Sequence, residues 1–146
     1  MDSKFINILL VEDNPDHIIF TKEALEENGV VHEIYVVEDG QEALDYLYQK
    51  GEYIDKKKSP RPGLILLDIK LPKVDGMEVL RQLKSDPDLK SIPVILLTTS
   101  SRDEEIAEGY LCGANSYVTK PVNLDEFIEK IRNIKLYWVI TNSLPK

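Results

Sequence analysis

Short apolar runs alternate along this chain with longer segments in which apolar residues recur at helical spacing. The first run, Ile6–Val11, is rich in β-branched residues and predicts a strand buried on both faces of a sheet. The pair Asn14-Pro15 then supplies a helix cap and a first-turn proline, and helical spacing continues as far as Gly29. The opening of the chain therefore predicts a strand followed by a helix.

The same order repeats along the rest of the sequence. Residues 52–63 are an exception, because they contain three consecutive lysines and two prolines and follow neither period, so we predict an exposed loop there. Further strands are predicted at residues 32–37, 64–67, 93–97 and 116–118. Further helices are predicted from Asp39-Gly40 to Gly51, over 77–83, over 103–112 and from Asn123 onwards.

Five strands alternating with five helices predict an α/β fold in which a parallel sheet is covered by helices on both faces. Five strands are too few for a complete eight-stranded barrel. The 146 residues contain no internal repeat and no linker between two folded units, so we expect one domain.

Composition narrows the classes of function. The 26 acidic residues outnumber the 18 lysines and arginines, and the formal net charge of −8 argues against direct binding of nucleic acid. No apolar run approaches the roughly 20 residues of a membrane-spanning helix, so we expect no membrane segment. The single cysteine, Cys112, excludes an internal disulfide and is typical of a protein in a reducing cytoplasm.

Reactive side chains stand directly after four of the predicted strands. Glu12 and Asp13 follow the first strand, and Asp68 follows the third. Thr98 follows the fourth strand and Lys120 follows the fifth. Ligands of an open parallel sheet bind beyond the carboxyl ends of the strands, so we expect these side chains to converge at one edge.

The charges of this group point to a metal ion. Three ionised carboxylates and one lysine leave two negative charges, which repel each other unless a proton or a cation is supplied. Oxygen ligands suit Mg²⁺, which is held by a few carboxylates together with phosphate oxygens. A metal, a lysine and a hydroxyl also stabilise a phosphoryl group during transfer, and a carboxylate can accept that group covalently.

Five motifs, in order, resemble the receiver domain of two-component response regulators. They are Glu12-Asp13, Asp68 within residues 67–72, Asp75-Gly76, Thr98, and residues 117–121. Their number and order make the resemblance specific. It implies a flavodoxin-like fold with strand order 2-1-3-4-5 and a receiver domain over residues 5–134. Residues 135–146 would extend the last helix into a tail, with no output domain.

The resemblance also implies a role for each residue at the strand ends. Asp68 would be the phosphoacceptor. Glu12, Asp13 and Asp68 would hold Mg²⁺, together with the backbone carbonyl of Lys70. Lys120 would pair with the phosphoryl oxygens.

A switch is implied as well. Thr98 would move towards the new phosphoryl group, and the ring of Tyr117 would turn inward behind it. The bond between Lys120 and Pro121 would be cis. The surface formed by the last two helices and the fifth strand would then report the change to a partner.

The implied partner is a sensor histidine kinase, with output through protein contacts. The loop at 52–63 and the tail at 137–145 resemble stand-alone regulators that serve phytochrome-type sensor kinases. Tyr137 and Trp138 either complete the last helix or form a homodimer contact, and the homodimer is the favoured reading.

Two other classes of protein fit parts of the pattern. The alternative is a magnesium-dependent phosphatase with an aspartate nucleophile, although such enzymes carry a second acid two residues after a nucleophile on the first strand, and residues 11–14 do not. A flavin carrier on the same fold would need hydroxyls and glycine in the first loop, where Glu12 and Asp13 stand.

Several residues have simpler interpretations. Tyr117 is equally explained by the packing of a strand, and Cys112 is predicted to be a small packed residue. His17 and His32 lie on different elements and form no ligand pair. The acidic residues outside the strand ends, among them the run at 103–105, are assigned to solvated helix faces.

Overall fold

The structure, a computed structural model, describes residues 6–26, 31–99, 103–122, 125, 126 and 129. Within these residues the chain forms five strands: β1 (Ile6–Val11), β2 (Val31–Val37), β3 (Leu64–Asp68), β4 (Val94–Thr98) and β5 (Ser116–Thr119). All pair in parallel in one sheet of order β2-β1-β3-β4-β5. The predicted fold class and strand order are confirmed.

Four α-helices in the described part of the chain connect these strands: α1 (Pro15–Glu26), α2 (Gly40–Tyr48), α3 (Gly76–Ser85) and α4 (Asp103–Leu111). None of the described helices has the length and apolar character needed to cross a membrane. Residues 125, 126 and 129 are also helical, but most of the predicted last helix lies outside the described residues. The same holds for Gly29, for Tyr137 and Trp138, and for the predicted domain boundary at residue 134.

The sheet separates two apolar layers, because successive side chains of a strand point to opposite faces. On one face Leu9 and Ile65 pack in a cluster with Leu80 of α3. On the other face Leu66 packs in a cluster with Leu25 of α1. All five of these side chains are fully buried. Both faces of the central strands are therefore covered, and polar groups on them are confined to the strand ends.

The connections of the sheet create a crevice at one edge. From β1 the chain passes to β2 on one side, and from β2 it crosses to β3 on the other side of β1. The helices that follow β1 and β3 therefore lie on opposite faces, which leaves an opening beyond the carboxyl ends of these two strands. This is the edge at which the predicted site residues stand.

Helix α3 begins directly against the end of β3. The backbone N–H of Gly76 donates to the carbonyl oxygen of Ile69 at 3.0 Å. A Cβ atom on residue 76 would lie 2.2 Å from the carbonyl oxygen of Asp68, a distance that no side chain tolerates. Glycine at this position therefore allows the close backbone approach that supports Asp68.

Helix α2 ends before the glycine that was predicted to end it. It stops at Tyr48, and Gln49 takes the left-handed conformation, with a φ of 55°. The Gln49 side chain donates to the carbonyl oxygen of Ser59 at 3.1 Å, a contact that offsets the strain of a non-glycine residue there. Gly51 instead begins a short 3₁₀ helix, and the residue that ends α2 lies two positions before the predicted one.

The loop before β3 is mostly exposed, as predicted, and a few contacts hold it to the domain. Ser59 is buried, and its hydroxyl oxygen lies 2.8 Å from the carbonyl oxygen of Tyr53 and 3.2 Å from that of Asp55. Tyr46 donates to the carbonyl oxygen of Pro60 at 2.9 Å, and the rings of Tyr46 and Tyr53 are 5.2 Å apart. These contacts join residues distant in sequence, so periodicity could not predict them.

Candidate functional site

Three carboxylates from two neighbouring strands meet at the carboxyl edge of the sheet. Glu12 and Asp13 follow β1, and Asp68 is the last residue of β3. One ligand atom of each carboxylate lies within 4.8 Å of the others. Glu12 and Asp68 are buried, whereas Asp13 is exposed. The predicted convergence of these three residues is therefore observed.

Lys120 joins the carboxylates from the end of β5. Its Nζ donates to Glu12 Oε1 at 2.8 Å and to Asp68 Oδ2 at 3.0 Å, and its side chain is only 6% exposed. Its backbone N–H donates to the carbonyl oxygen of Thr98 at 2.8 Å, which holds it beside β4. The bond from Lys120 to Pro121 is cis. The lysine is thus placed between the two buried carboxylates.

His17 is a further member of the site. Its Nδ1 is 3.1 Å from Lys120 Nζ and 3.7 Å from Glu12 Oε2. In the tautomer whose proton is on Nε2, Nδ1 can accept the third hydrogen of the ammonium, and Lys120 then has an acceptor for each of its N–H groups. The sequence interpretation, which gave His17 no role at the strand ends, is incomplete.

The electrostatics of the site favour added positive charge. The pKa of Asp68 is raised to about 6, chiefly by burial and then by the charge of Glu12, with Lys120 opposing both effects. Burial also lowers the pKa of Lys120, but its hydrogen bonds and ion pairs with Glu12 and Asp68 outweigh burial and raise that pKa overall. One charged lysine therefore does not compensate the carboxylates fully.

The donor set suits a hard divalent cation. The clustered carboxylates supply oxygen ligands only, as Mg²⁺ and Mn²⁺ prefer, and their excess negative charge is the kind that such an ion relieves. The backbone N–H of Lys70 donates to Asp68 Oδ1 at 3.2 Å, which orients that carboxylate. The role of the Lys70 carbonyl as a ligand stays a prediction.

A small cavity of about 80 Å³ lies beside Asp68. It is lined by Asp68, Ile69, Lys70, Thr98, Thr99, Glu105 and Lys120. Thr98 is buried at the end of β4, which places it in this cavity as the sequence predicts. Glu105 was assigned to a solvated helix face, but it lines the cavity and its Oε1 is buried. That part of the sequence interpretation is wrong.

Tyr117 lies on β5 and does not line this cavity. It is half-buried and packs edge-on against Tyr110 of α4, with 6.5 Å between the ring centres. Its role in a switch therefore stays a prediction. Cys112 packs against the buried cluster on the α3 face of the sheet, in agreement with its interpretation as a packed residue.

The two residues that the sequence interpretation missed share a position within their helices. His17 is the third residue of α1, and Glu105 is the third residue of α4. Helical side chains lean towards the helix N-terminus, and both helices begin at the carboxyl edge of the sheet. Both residues could therefore have been predicted from the sequence by including the first turns of the helices that follow β1 and β4.

Comparison with known proteins gives a consistent result. The family model described as "Response regulator receiver domain" matches residues 8–132. Response regulator Rcp1 of Synechocystis sp. is 43% identical over 138 residues, which cover 94% of this chain and 92% of Rcp1. The Mn²⁺-bound form of Rcp1 superimposes with a TM-score of 0.75 at 42% identity, covering 97% of this chain and 99% of Rcp1.

Two further solved structures are similar over nearly the whole chain. The bacteriophytochrome response regulator AtBRR has a TM-score of 0.82 and 42% identity, and the match covers 92% of this chain and 95% of AtBRR. The phosphorylated cyanobacterial phytochrome response regulator RcpA has a TM-score of 0.77 and 45% identity, with 97% and 99% of the two chains covered.

Proposed function

Because this chain belongs to the response regulator receiver family, we propose that Asp68 is the residue that accepts a phosphoryl group from its sensor histidine kinase. The protein is a response regulator of two-component signalling. The observation that carries the assignment of Asp68 is its position between a buried lysine and two further carboxylates. Lys120 Nζ is 3.0 Å from Asp68 Oδ2, and Glu12 and Asp13 complete the acidic cluster.

The proposed reaction uses Asp68 as a nucleophile. One carboxylate oxygen of Asp68 attacks the phosphorus of a phosphohistidine on the kinase, the P–N bond breaks, and an acyl phosphate forms on Asp68. Lys120 then exchanges its contact with the Asp68 carboxylate for one with a phosphoryl oxygen. In this proposal the chain promotes only its own phosphorylation and dephosphorylation, and its output is a protein contact.

Divalent metal binding fits the acidic cluster, and we assign the site to Mg²⁺. Glu12, Asp13 and Asp68 would hold the ion, together with the carbonyl of Lys70. When bound, Mg²⁺ neutralises the carboxylates and the oxygens of the transferred group. The same residues would hold Mn²⁺, the ion named for the structure of Rcp1.

The assignment of Asp68 is tested with a small phosphodonor. Incubation with acetyl phosphate and Mg²⁺ should add one phosphoryl group, which peptide mass spectrometry should locate on Asp68. Asp68→Asn should remain unmodified, and EDTA should block the reaction on the wild type. Asp88→Asn, an exposed loop position away from the site, serves as the control and should react normally. A phosphoryl group on another residue would exclude Asp68 as the acceptor.

Thr98 is proposed to start the response to phosphorylation. It is buried in the cavity beside Asp68, where its hydroxyl would bond the phosphoryl group, and Tyr117 would move into the space behind it. Thr98→Ala should accept the phosphoryl group but lose most of the change in affinity for an output partner. A normal change in affinity in this variant would contradict the switch.

The kinase is proposed to be of the phytochrome type. Two solved relatives are named as phytochrome or bacteriophytochrome response regulators, at 45% and 42% identity. Phosphotransfer from the phosphorylated kinase module of a bacteriophytochrome should therefore outpace transfer from a sensor kinase of another class. Equal rates from both modules would argue against this partner.

We further propose a homodimer through the aromatic pair Tyr137 and Trp138. We also propose that the protein is cytoplasmic and contacts no nucleic acid. Both residues lie outside the described part of the chain, and the proposal rests on their sequence alone. In sedimentation experiments the wild type should be a dimer, and the double variant Tyr137→Ala, Trp138→Ala should be a monomer. A wild-type monomer at all concentrations would exclude the dimer.

The phosphatase alternative is not favoured. Membership of the receiver family and relatives named as response regulators over nearly the whole chain point to signalling. Those phosphatases carry an acidic residue two positions after their nucleophile. In this chain the residue two positions after Asp68 is Lys70, which is not acidic.

A further inference from the structure

Glu105 carries a carboxylate oxygen for which the fold supplies no partner. Its Oε1 is shielded from solvent and accepts no hydrogen bond. Among the side chains that the structure describes, only Asn7 has another such atom. A buried carboxylate oxygen without a donor is costly, so it marks a place where a donor is expected to arrive during function.

The position of Glu105 indicates which donor that is. Glu105 lines the same cavity as Asp68, together with Thr98 and Lys120. The cavity measures about 80 Å³, and a water molecule occupies roughly 30 Å³. It therefore has room for a water molecule next to a group attached to Asp68.

We infer that Glu105 orients and deprotonates the water molecule that removes the phosphoryl group from Asp68, and that this residue sets the lifetime of the phosphorylated state. The inference rests on the proposed function, because it requires the acyl phosphate on Asp68. Glu105 would contact the attacking water through Oε1, while Lys120 neutralises the phosphoryl oxygens.

The step balances as a hydrolysis. The water oxygen attacks phosphorus, the bond between phosphorus and the Asp68 oxygen breaks, and its electron pair returns Asp68 to a carboxylate. Glu105 Oε1 accepts one water proton and passes it to the released inorganic phosphate or to solvent. A carboxylate acting in this way is a general base, which typically contributes about 10²–10⁴-fold to a rate.

The inference is tested by measuring how long the phosphoryl group survives. The wild type, Glu105→Gln and Glu105→Ala are phosphorylated with acetyl phosphate and Mg²⁺, the donor is removed, and the remaining phosphoprotein is followed on phosphate-affinity gels. Both variants should lose the phosphoryl group at least about tenfold more slowly than the wild type. Glu108→Gln is the matched control, because Glu108 is an exposed glutamate on the same helix outside the cavity, and it should decay at the wild-type rate.

A rescue experiment separates a role in hydrolysis from a structural role. Added formate, a small carboxylate, should shorten the lifetime in Glu105→Ala and leave the wild type unchanged. The lifetime is the first-order decay of protein that is already phosphorylated, so a changed rate of phosphorylation in a variant does not alter it. No effect of formate on Glu105→Ala would overturn the inference.

Failure of this inference is distinguishable from failure of the proposed function. Absence of a phosphoryl group on Asp68 in the wild type would defeat the proposed function. Normal phosphorylation of Asp68 with an unchanged lifetime in both Glu105 variants would defeat only the role of Glu105.

Discussion

Asp68 is the carboxylate whose ionisation is opposed by its surroundings in the site. Its ordinary pKa is 3.8, and burial together with the charge of Glu12 raises it to about 6 in the folded protein without metal. Because the pKa of Asp68 is raised in the folded state, the contribution of this carboxyl to the free energy of unfolding is fully present below about pH 4. That contribution is lost as the pH rises through about 6, where the buried carboxyl must ionise. A residue suited to accept a phosphoryl group thus destabilises the fold at neutral pH.

The variant Asp68→Asn should remove this pH dependence. In EDTA, its free energy of unfolding relative to the wild type should rise by about 2 kcal/mol between about pH 4 and about pH 7.5. Urea denaturation at a series of pH values measures the difference. Asp88→Asn should follow the wild type at every pH, and a difference for Asp68→Asn that stays constant with pH would contradict the assignment of the raised pKa.

Lys120 partly compensates the negative charge of the two buried carboxylates, Glu12 and Asp68. Lys120→Met would leave Glu12 and Asp68 without their shared partner, and this should cost about 3 kcal/mol of unfolding free energy at neutral pH. Saturating Mg²⁺ should recover part of the loss, since the ion then supplies the missing charge. Urea denaturation with and without Mg²⁺ tests both statements, with the exposed Lys90→Met as control. A cost that Mg²⁺ does not reduce would be inconsistent with a common electrostatic origin.

The elements of the fold hold the site by backbone contact as well as by side chains. Helix α3 approaches the end of β3 closely because residue 76 has no Cβ, and helix α1 brings His17 to Lys120 because it begins at the same edge. The side chains at the ends of the strands follow the regular two-residue repeat of a strand. The positions of the first residues of each helix depend instead on how that helix packs on the sheet. The geometry of the site is therefore sensitive to changes at the start of a helix.

A pair of glycine substitutions tests this dependence. Gly76→Ala would place a Cβ 2.2 Å from a backbone oxygen, so α3 must shift, at a cost of about 2–3 kcal/mol and with slower phosphorylation. Gly109→Ala would place its Cβ 2.3 Å from the Leu96 Cδ1 atom, which can rotate away, and alanine gains about 1 kcal/mol of helix propensity. Urea denaturation should therefore show the larger loss for Gly76→Ala, and equal losses would contradict a rigid backbone contact.

At the scale of the whole molecule, the acidic surplus has two parts. The net charge of −8 includes residues spread over exposed surfaces and the three carboxylates that cluster at the sheet edge. Among the described residues, the clustered carboxylates are the part that suits a divalent ion, because isolated surface charges are screened by salt and bind ions weakly. Metal binding and folding should therefore be coupled through these few residues. The net charge of the whole chain should have little effect on metal binding.

Mg²⁺ should stabilise the folded protein by mass action. At 100 times its Kd the ion should add about 2.7 kcal/mol to the unfolding free energy, because it binds the assembled carboxylates and not the unfolded chain. Asp13→Asn should lose most of this gain, whereas Asp16→Asn, an exposed acid of equal charge three residues away, should keep it. Urea denaturation across a Mg²⁺ titration makes the comparison, and equal gains in the two variants would indicate nonspecific screening.

Local pattern was sufficient to predict the sheet and the residues at its carboxyl edge. Strand and helix periodicity are properties of neighbouring residues, and parallel strands end at a common edge, so Glu12, Asp13, Asp68 and Lys120 could be grouped before any contact was known. Thr98 was assigned to the same edge for the same reason. The order of the strands came from the resemblance of five motifs to a known family.

Tertiary packing decided the remaining features. His17 and Glu105 belong to the site because first-turn side chains lean towards the sheet edge, and this depends on where each helix begins in space. Gln49, and not Gly51, takes the left-handed conformation at the end of α2, and its side chain donates to the carbonyl oxygen of Ser59, ten residues further on. Periodicity records which faces are buried, but it contains no information on which distant residues meet, and these contacts complete the site.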